Sequence, residues 1–493
     1  MSTLETLVKN VTVVRPDAGA ADGEQLDLGI AGGRFVRVEP QIDPAAAQQV
    51  VDGKGSLVFP GAVDAHQHWG IYNPLEEDAG TESRASAQGG VTTGLTYMRT
   101  GQYYLNRGGP YAEFFPLVLD AARGRSYVDY GFHLAPMMRE HIDEIPAIIE
   151  DFGVTSFKIF MFYGSHGLHG RSADQSAFLM IPEDERYDLA HFEFVMRGVQ
   201  AAREKLTDTA PHISLSLHCE TAEIMTAYTR IVEEEGSLQG LAAYSAARPP
   251  HSEGLAVTIA SFLADETGLP NINLLHLSSR KALKAAMLMA KTFPHVDFRR
   301  EVTIGHLLAD VDTAQGLGGK VNPPIRPRED VEALWEYVVD GSVDWVVSDH
   351  ACCKDEQKFG DPRDDIFAAR SGFGGAEYLL PGLVGEGRRR GLSYQRIAQL
   401  ASWNPAQRYG LLSKGTIGVG YDADFALVDP SSSWTVHAAD SQSTQEYSPF
   451  EGFEIGARVT DTWVRGRQVL QDGNVVGQPV GEYVHRPAGR GER

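Results

Sequence analysis

Histidine and aspartate residues recur in this sequence at the ends of short apolar segments. His66 and His68 end the segment AVDAHQH, and because residues i and i+2 of a strand point the same way, both imidazoles can reach one ion. His218 ends LSLH, His276 stands in LLHLSS, and Asp349 stands in VVSDH. A lone histidine is more often a packing or surface residue, but this set together favours a shared metal centre. Imidazoles with a carboxylate suit Zn²⁺ and other first-row divalent cations.

One lysine lies inside an apolar segment. Lys158 stands in TSFKIFMFY, where a charged amine is costly to bury. One interpretation is an amine that reaches solvent or pairs with an acid. The other is chemical, because burial lowers the pKa of a lysine and the neutral amine can add CO₂. The resulting carbamate is an anionic ligand with two oxygen atoms, able to bridge two metal ions.

Strand-like and helix-like segments alternate through the middle of the chain. Eight apolar segments rich in β-branched residues predict strands at 62–66, 91–97, 127–134, 156–161, 213–218, 272–277, 298–304 and 345–348. Amphipathic patterns predict helices at 111–122, 140–150, 189–205, 222–235, 255–267, 281–292 and 331–339. Eight such repeats predict an α/β fold with a (β/α)₈ TIM barrel, whose catalytic residues lie at the carboxyl ends of the strands. A doubly wound open sheet is the alternative, weakened by the absence of GxGxxG after the first strand.

Both ends of the chain have the pattern of β-structure. Residues 1–57 contain short strand-like segments separated by turn residues, and residues 415–428 and 459–470 are similar. Neither end is long enough for a sheet with its own core, so we expect both to form one small β-sandwich domain from residues 1–57 and 411–480. Residues 58–410 would then form the barrel, and residues 481–493 an extended arm or a frayed tail.

The ordered motifs GAVDAHQH, FKIFMFY, SLHCE, LLHLSS, VNPPIR and SDH closely resemble those of the cyclic amidohydrolases, which include dihydropyrimidinases, hydantoinases, allantoinases and dihydroorotases. The resemblance covers nearly the whole chain. It implies a centre of two divalent cations, with Zn²⁺ expected, and a homotetramer or dimer that acts on a small cyclic amide. By position, one ion would be held by His66, His68 and Asp349, the other by His218 and His276, and both by N6-carboxylated Lys158.

The resemblance also implies a mechanism in which a hydroxide bridging the two metal ions attacks the ring carbonyl. Asp349 would take its proton and deliver it to the leaving nitrogen. Tyr163 matches the family's tyrosine that contacts the substrate and donates to the developing oxyanion, although it could be a packing residue. Asn322 of VNPPIR would contact the ring amide. Gly374 and Gly375 of GFGGAEY would offer backbone atoms to the ring, unless they form an ordinary glycine-rich turn.

The sequence says less about which ring the substrate contains. Dihydroorotases bind a carboxylate through an arginine just after HxH, whereas this chain has HQHWGIYNP. Trp69 and Tyr72 suggest an aromatic wall for a hydantoin or dihydropyrimidine ring with an apolar substituent, and SDHACC with FGGAE favours allantoinases. Residues 164–188 are either a solvated insertion or a lid, with Arg171 reaching a polar or anionic substrate group.

Two other functions stay open. One is a different activity on the same barrel, such as dihydroorotase, acyl-amino-acid deacylase or deaminase, although mononuclear deaminases usually lack the strand-four lysine. The other is a dihydropyrimidinase-like scaffold protein without catalysis. Such scaffolds have lost metal ligands, whereas every ligand position is filled here.

The composition excludes several classes of function. The net charge of −22, from 66 acidic and 44 basic residues, opposes nucleic-acid binding. No apolar run of about 18 residues predicts a membrane span, and the N-terminus lacks the pattern of a signal peptide. Cys219, Cys352 and Cys353 are too few for a disulfide framework, so we expect structural cysteines in a cytoplasmic protein.

Overall fold

The computed structural model describes residues 4–163, 166–169 and 174–487. These residues form the strands β1 Leu4–Lys9, β2 Thr12–Val13, β3 Glu24–Gln25, β4 Asp27–Ala31, β5 Arg34–Glu39, β6 Ala47–Asp52, β7 Leu57–Pro60, β8 Ala62–Gln67, β9 Val91–Met98, β10 Asp129–Leu134, β11 Ser156–Phe160, β12 Ser214–His218, β13 Asn271–Leu274, β14 Asp297–Thr303, β15 Trp345–Val347, β16 Phe425–Asp429, β17 Trp434–Thr435, β18 Glu454–Ile455, β19 Arg458–Val464, β20 Arg467–Gln471 and β21 Asn474–Val475.

The α-helices of the same residues are α1 Leu75–Gln88, α2 Tyr111–Ala122, α3 Arg139–Asp143, α4 Ile145–Phe152, α5 Gln175–Leu179, α6 Leu189–Lys205, α7 Ala222–Glu235, α8 Gly240–Ala247, α9 Pro250–Thr267, α10 Arg280–Thr292, α11 Ile304–Leu308, α12 Arg328–Val339, α13 Asp355–Lys358, α14 Leu379–Gly382, α15 Tyr394–Ala398 and α16 Asn404–Arg408. None of these helices combines the length and the apolar character needed to cross a membrane.

Strands β8 to β15 lie side by side in chain order in one parallel sheet. The backbone N–H of His68 donates to the carbonyl of His350 at 2.8 Å, which joins the end of β8 to the segment after β15 and closes the barrel. The predicted (β/α)₈ barrel is therefore confirmed, and each of the eight predicted strands has its counterpart in the sheet. Its strands are buried on both faces because helices cover the outside.

The helices follow local signals in the sequence. The side chain of Asp188 accepts from the backbone N–H groups of Ala190 and His191, which fixes the start of α6 at the predicted residue. The single helix predicted at 140–150 is wrong, because two short helices, α3 and α4, occupy that range. Pro146 lies in the first turn of α4, where its missing N–H is harmless, whereas inside one continuous helix it would break a hydrogen bond.

Both ends of the chain build two further sheets. One has the order β5-β4-β1-β6, and the other has the order β21-β20-β19-β16-β7-β2-β3. In the second sheet β7, from the start of the chain, pairs antiparallel with β16, from near its end. Phe35 of the first sheet packs with Phe425 and Trp463 of the second in one apolar core. The two chain ends thus share a sandwich-like core.

The range 411–480 also contains a segment, from β17 to β18, that belongs to neither of these two sheets. Strands β17 and β18 pair with each other, and Val436, Phe450 and Ile455 of this part pack against Phe373 and Tyr378 of the barrel segment. The proposed division into a sandwich (1–57 and 411–480), a barrel (58–410) and a tail (481–493) stays a prediction.

The C-terminal arm, residues 478–487, lies against the amino ends of the barrel strands. Tyr483 forms a parallel bridge with Tyr130 of β10. Arg486 is buried and donates to the Ser156 hydroxyl, at the start of β11, at 2.9 Å. The arm therefore covers the end of the barrel opposite to the carboxyl ends of its strands.

Candidate metal centre

The six predicted ligands converge at the carboxyl end of the barrel, where they come from β8, β11, β12 and the segments after β13 and β15. Oδ1 of Asp349 lies 3.2 Å from Nε2 of His66 and 3.2 Å from Nε2 of His68. Nζ of Lys158 lies 3.1 Å from Nε2 of His66. The rings of His218 and His276 are 4.2 Å apart between centroids, and His276 is 5.3 Å from His66.

These side chains have the chemistry of a cation site. Both ring nitrogens of His276 are buried, and neither has a hydrogen-bond partner in the part of the chain that the structure describes. An unpartnered buried imidazole is costly, and a bound cation would remove that cost. Burial lowers the pKa of His66, His218 and His276 well below the usual value, so these imidazoles are neutral, as metal ligands must be.

The backbone is also unusual at two of these residues. His276 has φ of 33° and Asp349 has φ of 56°, both in the left-handed region that non-glycine residues rarely adopt. Such conformations cost of order 1–3 kcal/mol and concentrate at functional sites. Here they turn the chain at the ends of β13 and β15 and place both side chains over the barrel.

Lys158 is buried between aromatic rings. Its Nζ lies 4.0 Å from the ring centroid of Tyr97 and 4.3 Å from that of Phe160. Burial lowers the pKa of Lys158 to about 7, against the opposing influence of Asp349 and Glu301. The neutral, nucleophilic amine is therefore well populated at neutral pH.

A buried carboxyl group that was not expected from the sequence supports two of the predicted ligands. Oε1 of Glu301, on β14, lies 2.8 Å from Nδ1 of His66 and accepts from the backbone N–H of His276 at 3.1 Å. Its Oε2 accepts from Nε1 of Trp345 at 2.9 Å. The signal was present in the sequence, because Glu301, like Lys158, is a charged residue inside a predicted apolar strand.

Two other ligands have similar partners. Oε2 of Glu220 lies 2.7 Å from Nε2 of His218, and the hydroxyl of Tyr104 lies 2.8 Å from Nδ1 of His68. Partners of this kind fix the ring orientation of a metal-binding histidine. Glu220 follows His218 by two residues, whereas nothing in the sequence relates Tyr104 to His68.

A cavity of about 40 Å³ lies beside the ligands. Its walls are aromatic on one side and polar on another, and they include Tyr72, Phe162, Asn322, Ser371 and Leu168. No arginine is among the lining residues that the structure describes. Such a volume holds no more than a few water molecules, since one water needs about 10–15 Å³ of it.

Asn322 lines this cavity, as expected of a substrate contact. Its Nδ2 donates to the carbonyl of Leu168 at 2.9 Å. His169 stacks on Tyr72 at 5.7 Å between ring centroids, and its Nδ1 accepts from the backbone N–H of Ser371 at 3.2 Å. The segment 166–169 therefore forms hydrogen bonds with Asn322 and Ser371, which line the cavity. A ring-sized substrate that binds these groups must displace the segment.

The expected aromatic wall is only partly correct. Tyr72 lines the cavity, but Trp69 is fully buried in the core beside Tyr130, with 6.1 Å between ring centroids. Trp69 stands in a turn directly after β8, where its ring packs into the apolar core and away from the cavity. Arg171 lies outside the described residues.

Three further expected contacts do not reach the cavity in this structure. The N–H of Gly374 donates to Oε1 of Gln445 at 2.6 Å, and that of Gly375 donates to Nδ1 of His350 at 3.1 Å. Tyr163 stacks on Phe160 at 4.8 Å and does not line the cavity. Gly375 thus helps to hold His350, the neighbour of Asp349.

Comparison with known proteins matches residues 256–469 to the model of the amidohydrolase family. The chain is also 33% identical over 501 aligned residues to an allantoinase from Rubrobacter xylanophilus, with all of both chains covered. The chain belongs to the amidohydrolase family. An allantoinase from Desulfitobacterium hafniense is 30% identical over 98% of this amidohydrolase and 99% of its own length.

A solved D-hydantoinase (dihydropyrimidinase) from a Thermus species is similar to this amidohydrolase over the whole fold. It has a TM-score of 0.81 and 28% identity, and the match covers 98% of this chain and 99% of the other. These relatives place the chain in the cyclic amidohydrolase group. Membership of the family implies a binuclear metal centre, which the convergent side chains fit.

Proposed function

We propose that this amidohydrolase opens the ring of a neutral cyclic ureide and that allantoin is its preferred substrate. The chain is a metal-dependent hydrolase of cyclic amides, as its allantoinase and hydantoinase relatives indicate. The choice of a neutral ring rests on the cavity beside the six predicted ligands. This cavity has aromatic walls and Asn322, and no arginine is among its described lining residues. The resemblance to allantoinases along the whole chain favours allantoin within that class.

We also propose that Lys158 adds CO₂ and that the resulting carbamate would help to hold two divalent cations, with Zn²⁺ expected. His66, His68 and Asp349 would hold one ion, and His218 with His276 the other. The metal pair, when bound, supplies a Lewis acid and an activated water near neutral pH. The lowered pKa of Lys158 supports the modification, because only the neutral amine reacts with CO₂.

Asp349 is the proposed proton carrier. Burial alone would raise the pKa of its carboxyl, but the hydrogen bond from His68 and the nearby positive charge lower it below the usual value. The carboxylate is therefore ionised at neutral pH and can take a proton from the attacking water. It then gives this proton to the ring nitrogen as the carbon–nitrogen bond breaks.

Asn322 and Tyr163 are the proposed substrate contacts. Asn322 already lines the cavity, where the amide can bind the ring once the segment 166–169 moves away. Tyr163 would donate to the carbonyl oxygen as negative charge develops. Its ring stacks on Phe160, which lines the cavity.

The decisive experiment is a hydrolysis screen of the Zn²⁺-loaded protein with allantoin, hydantoin, 5-substituted hydantoins, dihydrouracil and dihydroorotate. We expect the highest kcat/KM with allantoin and the lowest with anionic dihydroorotate. Asp349→Asn serves as the inactive control, and Asp120→Asn, on the exposed face of α2, as the matched active one. Failure to open any of these rings would reject the proposal.

A second candidate is a hydantoinase or dihydropyrimidinase activity. The similarity to the solved D-hydantoinase favours it, as does Tyr72 on the wall of the cavity. Preference for a hydantoin with an aromatic 5-substituent over allantoin would select this alternative. The same metal-loaded protein distinguishes the two in one screen.

We further propose a homotetramer or dimer in the cytoplasm, as expected from the family and from the cysteine usage. Light scattering of the purified protein measures the assembly. A monomer that is fully active would contradict this proposal.

A further inference from the structure

A chain of buried hydrogen bonds runs from the metal ligand His218 to Asn322. His218 contacts Oε2 of Glu220 at 2.7 Å, and Oε1 of Glu220 accepts from Nε of Arg248 at 3.0 Å. Nη1 of Arg248 donates to the hydroxyl of Tyr244 at 3.2 Å, and this hydroxyl lies 2.5 Å from Oδ1 of Asn322. All five side chains are buried. Solvent therefore does not compete for any of these bonds.

The guanidinium fixes the direction of this chain. A guanidinium has donors and no acceptor, so the Tyr244 hydroxyl accepts a hydrogen bond from Arg248. It therefore donates its single proton to Oδ1 of Asn322. Oδ1 of Asn322 is therefore turned toward Tyr244, and the hydroxyl of Ser371, 3.3 Å from the same oxygen, supports this orientation. Nδ2 is left for the cavity side, where it now donates to the carbonyl of Leu168 at 2.9 Å.

One short helix supplies both supporting residues. Tyr244 lies on α8, and Arg248 follows directly after the helix end at Ala247. Residues four positions apart on a helical turn lie on the same side, so the guanidinium and the hydroxyl meet. The guanidinium also lies 5.4 Å from the ring centroid of Phe162, a wall of the cavity.

We propose that Arg248 and Tyr244 are positioning residues that turn the amide of Asn322 so that it presents its N–H groups, and not its oxygen, to the substrate. Asn322 then recognises a carbonyl oxygen of the ring and discriminates against a ring N–H at that place. The same arginine holds Glu220 against His218, so one buried cation orients both a metal ligand and the substrate-binding amide. This inference rests on the proposed binding of a cyclic amide by Asn322.

The first test is Tyr244→Phe, which removes only the hydroxyl. With the Zn²⁺-loaded enzyme and the best substrate of the screen, we expect KM to rise about tenfold, the effect of about one lost hydrogen bond. Both kcat and the zinc content should stay within about twofold of the wild type. Tyr483→Phe is the matched control, because its hydroxyl donates to the Phe152 carbonyl at 2.7 Å, on the C-terminal arm, and should leave KM unchanged. A merely structural role would instead lower kcat, zinc content and melting temperature together.

The second test combines Tyr244→Phe with Asn322→Ala. If Tyr244 acts through Asn322, the second substitution should add nothing to the KM of the Asn322→Ala enzyme. Asn322→Asp, which replaces N–H donors by an acceptor, should raise KM further than Asn322→Ala. Additive effects of Tyr244→Phe and Asn322→Ala, or an Asn322→Asp enzyme that binds better than Asn322→Ala, would overturn this inference alone. A wild-type protein that opens no cyclic amide would overturn the proposed function and this inference with it.

Discussion

The amine of Lys158 lies between Tyr97 and Phe160, and burial lowers its pKa to about 7. Carbamate formation needs the neutral amine, and the fraction of that form rises as the pH rises through the pKa. We therefore predict that protein stripped of metal and CO₂ regains activity with Zn²⁺ and bicarbonate faster at pH 8 than at pH 6. Initial rates of reactivation measure this effect.

Substitution provides the control for that experiment. Lys158→Ala should lose metal and turnover, and short carboxylic acids should restore part of both by replacing the carbamate oxygens. Lys284→Ala, an exposed lysine on α10, should behave as the wild type. Full activity in CO₂-free buffer would contradict the carbamate.

Tyr163 provides a separate prediction at the residue scale. If its hydroxyl donates to the developing oxyanion, Tyr163→Phe should lower kcat about 100-fold and change KM little. Steady-state kinetics with allantoin measure this, with Tyr483→Phe as control. An unchanged kcat would show that the ring keeps its contact with Phe160 during turnover.

At the scale of elements, β14 carries none of the six predicted ligands but contacts two of them through Glu301. The Glu301→Gln change keeps the size of the side chain but replaces the carboxyl group that contacts Nδ1 of His66 by an amide. We expect Zn²⁺ affinity to fall about 10- to 100-fold, as for other partners of metal-binding histidines. Competition with a chelator measures the affinity, and Glu336→Gln on the exposed face of α12 is the control. Equal affinity in both variants would assign Glu301 to packing alone.

The segment 166–169 makes the second prediction at this scale. It fills the space beside Asn322, and the remaining cavity of about 40 Å³ cannot take a substrate ring. In a crystal structure with the ring-opened product, the carbonyl of Leu168 should lie more than about 3.5 Å from Nδ2 of Asn322. Persistence of that bond beside bound product would place the substrate elsewhere.

The eight barrel strands and the convergence of the six predicted ligands could be predicted because both depend on local patterns. Apolar segments define the strands, and the barrel brings their carboxyl ends together whatever the loops do. Trp69 could not be placed this way, because the direction of its side chain after β8 depends on its packing. The backbone contacts of Gly374 and Gly375 depend on the tertiary positions of Gln445 and His350. Arg248 was missed for a similar reason, since α8 lies within a crossover and only tertiary contacts bring its end to Glu220.

At the scale of the whole molecule, Lys414 joins the barrel to the chain leading into β16. Its Nζ lies 2.7 Å from Oδ2 of Asp129, 3.1 Å from Asp422 and 2.5 Å from Asp424, all buried. Lys414→Met should lower the free energy of unfolding by about 3–5 kcal/mol, because carboxylates remain buried with less opposite charge. Urea denaturation measures this, with Lys284→Met as control.

The pH dependence of that loss has a definite sign. Burial raises the pKa of Asp424, an effect that Lys414 opposes. Without the lysine, the folded carboxylates bind protons more readily than the unfolded ones, so stability falls as the pH rises. The difference between wild type and Lys414→Met should therefore shrink as the pH falls from 7 to 5. A constant difference would mean that the lysine stabilises by packing.

The pairing of β7 with β16 also matters while the protein is being made. The two strands are separated by the entire barrel, and at about 5–20 residues per second a ribosome needs roughly 20 to 70 s to pass from one to the other. In the folded sheet β7 pairs with β2 on one side and with β16 on the other, so before β16 is made one edge of β7 lacks its native partner. Such an edge pairs readily with foreign strands. The nascent chain must therefore be shielded, by its own barrel segments or by a chaperone, until residue 425 emerges.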